Sequence, residues 1–329
     1  MFWCLARFRL LTDEEIDMFD LSIVAILLPA FCECLVLVGI HAYLGIHVIK
    51  RQIIFVDLAL AQIAALGALV AFLFGIQPHT WASYWFSLGL ATIGAAIFAV
   101  CRFRESKVPQ EAVIGLIYAI AAAMAILLID KAPHGAEQLK DILTGSILWV
   151  KWKSIAIAAA VYSAVGIVHY VYRDKFMLIS TDPEVARQKG LNVRAWDFLF
   201  FFLFGVVITL SVDVAGVLIV FVFLVAPAIM AISITDRLSS QLLIGWGLGL
   251  LVTVLGLVAS YVWDLPTGPA IIGCYAVVVI LLSGLLHNLR ASNRAQALRN
   301  TALISIVFAA ALGLIVVVGR VVQSALKIR

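Results

Sequence analysis

Charge is scarce in this chain. Asp, Glu, Lys and Arg make up 13% of the 329 residues, against 64% hydrophobic residues and a mean hydropathy of +1.12. That balance excludes a soluble core with a solvated shell, and a net charge of +4 gives no reason to expect a nucleic-acid partner. The dipeptide Gly-Lys occurs nowhere, which excludes the phosphate-cradling loop that needs it. The five cysteines sit singly or as Cys32-x-Cys34, so neither a disulfide framework nor a zinc knuckle is spelled out. No nucleophile–base pair or metalloprotease helix is visible. Strand-like alternation is also missing, which argues against a membrane barrel. The chain reads as a transport component without a nucleotide site of its own and not as an enzyme.

What remains is long apolar runs. Each is about 20 residues, enough to cross a hydrocarbon layer of roughly 30 Å. In lipid every backbone polar group must be satisfied within its own segment, so the runs are expected as helices. Ten candidate spans cover 21–48, 53–75, 81–101, 110–129, 154–172, 196–212, 214–235, 240–263, 268–287 and 301–322. The expected fold is all-α, a polytopic transmembrane bundle of about 8–10 spans, with residues 18–325 as one membrane domain. The sixth and seventh runs meet at Ser211-Val-Asp213, where one of them is expected to be short or broken. Residues 1–17 mix arginines with acids and lack an apolar core. They read as a loose tail, or as sequence upstream of a true start at Met18. Basic residues concentrate in alternate loops, at Lys50 and Arg51, at Arg102, Arg104 and Lys107, and from Arg173 to Arg194. The positive-inside rule puts those loops in the cytoplasm of an inner-membrane protein and both termini on the extracytoplasmic side.

A few polar groups interrupt the spans, and an ionised one at mid-membrane costs roughly 2.5–3.5 kcal/mol even on lenient scales. Glu33, Asp57 and Gln62 are such groups. Each either lines a translocation path or bonds a neighbouring helix. Asp213 sits at an outer boundary, as a path residue or a solvated turn. His41 and His47 lie six apart, about 240° around a helix, which excludes a shared metal-binding face. His47 is expected at the wet interface beside Lys50, and His79, His134, His169 and His287 likewise as wetted histidines. Small residues crowd the second span from Ala59 to Ala71 and mark a tightly packed helix. Between the fifth and sixth spans lies a short charged helix, Asp182-Pro-Glu-Val-Ala-Arg-Gln-Lys-Gly190. It has little to bury in lipid and is suited to touching a partner in water.

In their order and spacing, several segments resemble the membrane permeases of ABC transporters that import zinc, manganese or iron. They are Leu44-Gly45-Ile-His-Val-Ile-Lys-Arg51, Ile54-Phe-Val-Asp-Leu-Ala-Leu-Ala-Gln-Ile-Ala-Ala-Leu-Gly67, the 182–190 helix, Val214-Ala-Gly216-Val-Leu, Ala226-Pro-Ala228 with Ala231, and Leu265-Pro-Thr-Gly-Pro269. The likeness runs from about Pro29 to Leu289. It implies a homodimer of permease subunits, a cytoplasmic ABC ATPase dimer and an extracytoplasmic substrate-binding protein. It also implies a coupling helix at about 181–191, with Asp182, Glu184, Arg187, Lys189 and Gly190 facing the ATPase. No tightly bound cofactor is implied, and the divalent metal is cargo. The resemblance also implies an Asp and a His four apart in the second span, as members of that family usually carry. Here Gln62 stands at the histidine and Leu58 at the aspartate. Asp57, the tentative metal ligand, is one residue early and about 140° from Gln62. The alternatives are an ABC permease for a siderophore or cobalamin chelate, and a stand-alone proton-coupled transporter working through Glu33 and Asp57.

Overall fold

The computed structural model describes residues 21–102, 109–129, 145 and 147–291, with side chains from residue 27. The expected tail and the expected tenth span lie outside the described residues. Within them the chain is helical: α1 Leu21–Lys50, α2 Val56–Leu73, α3 Trp81–Val100, α4 Gln110–Ile129, α5 Trp152–Val171, α6 Arg173–Thr181, α7 Pro183–Gln188, α8 Val193–Ala215, α9 Val217–Ile234, α10 Leu238–Trp263 and α11 Thr267–Arg290. Nine of these helices are long and apolar enough to cross a membrane, so the expected polytopic bundle is the observed one.

Helix ends follow local chemistry. Thr80 caps α3 by accepting from the Ser83 amide, and Asn192 caps α8 by accepting from the Ala195 amide. Each satisfies a donor that the first turn leaves unpaired. The expected break at Ser211-Val-Asp213 does not occur. Helix α8 continues through it to Ala215 and stops at Gly216, whose φ of 79° ends the helical path. Without a Cβ, glycine takes that conformation at no steric penalty. Both spans are therefore whole.

The spans pack as two groups. Helices α2, α3, α4 and α8 form one; α1, α9, α10 and α11 form the other. The two are joined where α8 and α1 both meet α5 and where α9 meets α2 and α8. Burial ranks the helices. The α2 window is 67% buried, whereas those of α4 and α11 are 17% buried, so α2 is central and the other two face outward. The small residues of α2 allow this. A Cβ on Gly67 would stand 2.6 Å from the Ser87 Cα, so α2 and α3 touch backbone to backbone. In the second group, Tyr275 of α11 donates to the Gly249 carbonyl of α10 at 2.6 Å. Trp246 of α10 donates to the Gly39 carbonyl of α1 at 2.9 Å.

Candidate translocation path and coupling segment

The bundle has a basic end, where α1 finishes at Lys50, and an opposite end, where α2 gives way to α3 through residues 74–80. At the opposite end a cavity of about 400 Å³ opens between α2, α3 and α8. Ala65 and Leu69 form its α2 wall, Ser83 and Ser87 its α3 wall, and Thr209 and Asp213 its α8 wall. Each pair is four residues apart and so shares a helix face. The Thr209 hydroxyl is buried and has no hydrogen-bond partner among the described residues. Gln62 precedes Ala65 by three residues. It therefore stands on the stripe that walls the cavity, one turn further into the bundle.

The other two expected path residues are deeply buried. Glu33 and Asp57 are 0% and 1% exposed, and neither carboxyl has a hydrogen-bond partner among the described residues. An unsatisfied buried carboxyl is costly as an anion, so each is a group that a proton or a cation would stabilise. Helix α2 is regular from Val56 to Leu73. Asp57 in its first turn and Gln62 therefore keep their angular separation, and the helix does not bring them together.

At the basic end lies a cluster that the sequence did not disclose. Arg51 donates to Asp197 at 2.6 Å and to the Ser180 hydroxyl at 2.9 Å. Arg102 grips both oxygens of Asp197 at 2.8 and 2.9 Å, and reaches the Ile179 carbonyl at 3.2 Å. The Arg51 guanidinium stacks 3.9 Å over the Phe200 ring. Burial pushes the Arg51 guanidinium down to about 10, and Asp197 opposes that shift; it stays charged at neutral pH. One carboxylate thus holds two guanidiniums in a dry site, a geometry in which charge-assisted bonds are strong. The bond partners come from the chain after α1, the chain after α3, α6 and α8, so four segments are clasped at one point.

Two histidines expected in water prove buried beside this clasp. His47 is 2.9 Å from the Ser180 hydroxyl. The His169 ring stacks 4.2 Å from Phe176 and lies 3.2 Å from the Tyr43 hydroxyl. Helix α6 folds back against the ends of α1 and α5 and covers them, which is why their position near span ends misled the expectation. The Arg51 cation next to His47 disfavours a metal ion there. Among the described residues no group of three or more His, Cys, Asp or Glu could hold a metal ion.

The expected coupling segment is a pair of short helices. Asp182 caps α7 by accepting from the Val185 amide at 3.0 Å, with Pro183 as the first helical residue. Glu184 and Arg187 pair with each other. Ala186 is buried in a small cluster with Ile179 and Val193. Asp182, Glu184, Lys189 and Gly190 are exposed and Arg187 is half-buried. The segment thus fixes one face to the bundle and leaves a charged face in water.

A family model, that of the ABC 3 transport family, matches residues 24–286. The chain belongs to the ABC 3 transport family. Among its relatives, the manganese transport system membrane protein MntC of Listeria innocua is 28% identical over 244 residues, covering 72% of this chain and 82% of that protein. The high-affinity zinc uptake system membrane protein ZnuB of Haemophilus influenzae is 24% identical over 263 residues, covering 78% and 96%. The solved structure of PsaBC from Streptococcus pneumoniae in complex with Fab shares the fold, with a TM-score of 0.66 at 21% identity over 78% of this chain and 90% of that one. The ABC 3 match includes the cavity, the clasp and the short helices α6 and α7. The chain is an integral, multi-pass membrane permease subunit.

Proposed function

We propose that this ABC 3 family member is the membrane-spanning permease of an importer for a divalent metal ion, driven by a separate ATPase. The observation that carries the reading is the cavity between α2, α3 and α8, whose α2 wall continues to Gln62 inside a bundle that buries two unpartnered carboxyls. The manganese and zinc transport systems to which two relatives belong support the same cargo class. The basic end faces the cytoplasm, so the cavity opens to the extracytoplasmic side and both termini lie outside. Asp57, Glu33 and Gln62 line the path and hold the cation weakly on its way. Two copies of the chain pair in the membrane and receive metal from an extracytoplasmic binding protein. The exposed face of α7, with Asp182, Glu184, Arg187, Lys189 and Gly190, seats on an ATPase dimer, and the clasp passes its displacement to α1 and α8. No bound cofactor is needed for this cycle, since the metal is cargo. The test is uptake by proteoliposomes containing the purified complex and its binding protein, with the accumulated metal identified by elemental analysis. ATP-dependent accumulation of zinc, manganese or iron is expected; accumulation of none of them would overturn the reading.

A further inference from the structure

Two metal-capable side chains meet at the cavity mouth without a role in the path described so far. His79 Nδ1 and Asp213 Oδ1 are 2.9 Å apart. They come from different parts of the chain, the α2–α3 connection and the last turn of α8. Both line the 400 Å³ cavity, and both also line a second cavity of about 470 Å³ bounded by Tyr84, Trp149, Lys153 and Ser154. The pair therefore stands in the partition between two openings on the same end of the bundle. His79 holds φ at 57°, in the left-handed region that histidine enters more readily than most non-glycine residues. Pro78 precedes it, and the turn brings the imidazole to Asp213 of α8.

We propose that His79 and Asp213 form the first ligands of the permease met by a divalent cation leaving the binding protein, an entry station that exchanges their mutual contact for a shared metal ion. This rests on the importer reading above. An imidazole nitrogen and a carboxylate oxygen are a donor pair that zinc and manganese both accept. Two strong donors are too few for storage, and half-exposed partners keep the site in exchange with water. Both properties suit a relay that must release its ion. One turn into the bundle from Asp213, the unpartnered Thr209 hydroxyl offers the next oxygen on the same face of α8. The competing explanation is a mechanical latch that only pins the 74–80 connection to α8.

The experiment uses the assembled complex in proteoliposomes, with uptake measured against metal concentration for wild type, Asp213→Asn and His79→Gln. Both substitutions keep a hydrogen bond across the pair but remove a strong ligand. For an entry station, half-saturation should rise roughly tenfold in each variant, the scale on which a weakened ligand set acts, with the maximal rate nearly kept. A latch would leave half-saturation unchanged, and that result overturns the proposal, as does a fall in maximal rate alone. Complex assembly checked by gel filtration guards against misfolded variants. Absence of metal uptake by the wild type would instead strike the importer reading itself, so the two failures are distinguishable.

Discussion

Asp197 is the residue on which the basic end depends. It is fully buried between Arg51 and Arg102, so Asp197→Ala would strand two cations in a dry site. Removing one member of a buried ion pair destabilises by about 3–5 kcal/mol. A large fall in the melting temperature of the detergent-purified complex is expected, visible by intrinsic fluorescence. Arg51→Lys is the milder probe. A lysine cannot reach Ser180 and Asp197 together while stacking on Phe200, so coupling of ATP hydrolysis to uptake should weaken while folded protein is recovered. Asp57→Asn keeps shape and removes charge. If Asp57 attracts the ion, uptake should slow by about tenfold, the scale of a lost metal contact, with little loss of folded protein. Gln62→His puts a ring nitrogen on the stripe that continues the cavity wall and should alter which metal competes best in uptake. None of the clasp pairing was legible beforehand. Its bonds join positions 146 and 95 residues apart, and a single sequence carries no signal for such pairings. Glu33, Asp57 and Gln62 were legible because polarity inside a 20-residue apolar run is conspicuous.

Helices, by contrast, could be read almost to their ends. Apolar runs bounded by charged or turn residues must be helical in lipid, and that constraint left little freedom. Several ends shift by two or three residues, and the break expected at Ser211-Val-Asp213 came from weighting Asp213 as a breaker, when Gly216 three residues later was the true stop. Helix α7 was read correctly as a charged helix, but its internal pairing was not foreseen. Because Glu184 and Arg187 pair with each other, the double change Glu184→Arg with Arg187→Glu retains that pair and inverts only the charge shown to a partner. Metal-stimulated ATP hydrolysis should fall to its basal level while the permease remains inserted. Unaltered stimulation would count against α7 as the docking element. At the α2–α3 contact, Gly67→Leu would force two backbones apart. A loss of about 1–3 kcal/mol is expected from overpacking, measurable as a lowered melting temperature together with reduced uptake, since Ser87 of the same contact lines the cavity.

For the whole molecule, the decisive question is which way it faces. On a background with its native cysteines replaced, Lys189→Cys should react with a membrane-impermeant maleimide only from the cytoplasmic side, and Gln77→Cys only from the opposite one. The reverse pattern would invert every assignment of cavity and coupling face. Architecture at this scale was legible because hydropathy is a property of long segments. The site was legible only in part, because it is built where segments cross.

The same crossing imposes an order on synthesis. Arg51 leaves the ribosome 146 residues before its counter-ion, Asp197. At about 5–20 residues per second, the first helical hairpin waits roughly 7 to 30 seconds with a cation it cannot yet bury. The corner between α1 and α2 must stay hydrated through that interval. It can close only when α8 has been delivered, so the translocation machinery handles an open hairpin whose last act of folding belongs to a segment not yet made.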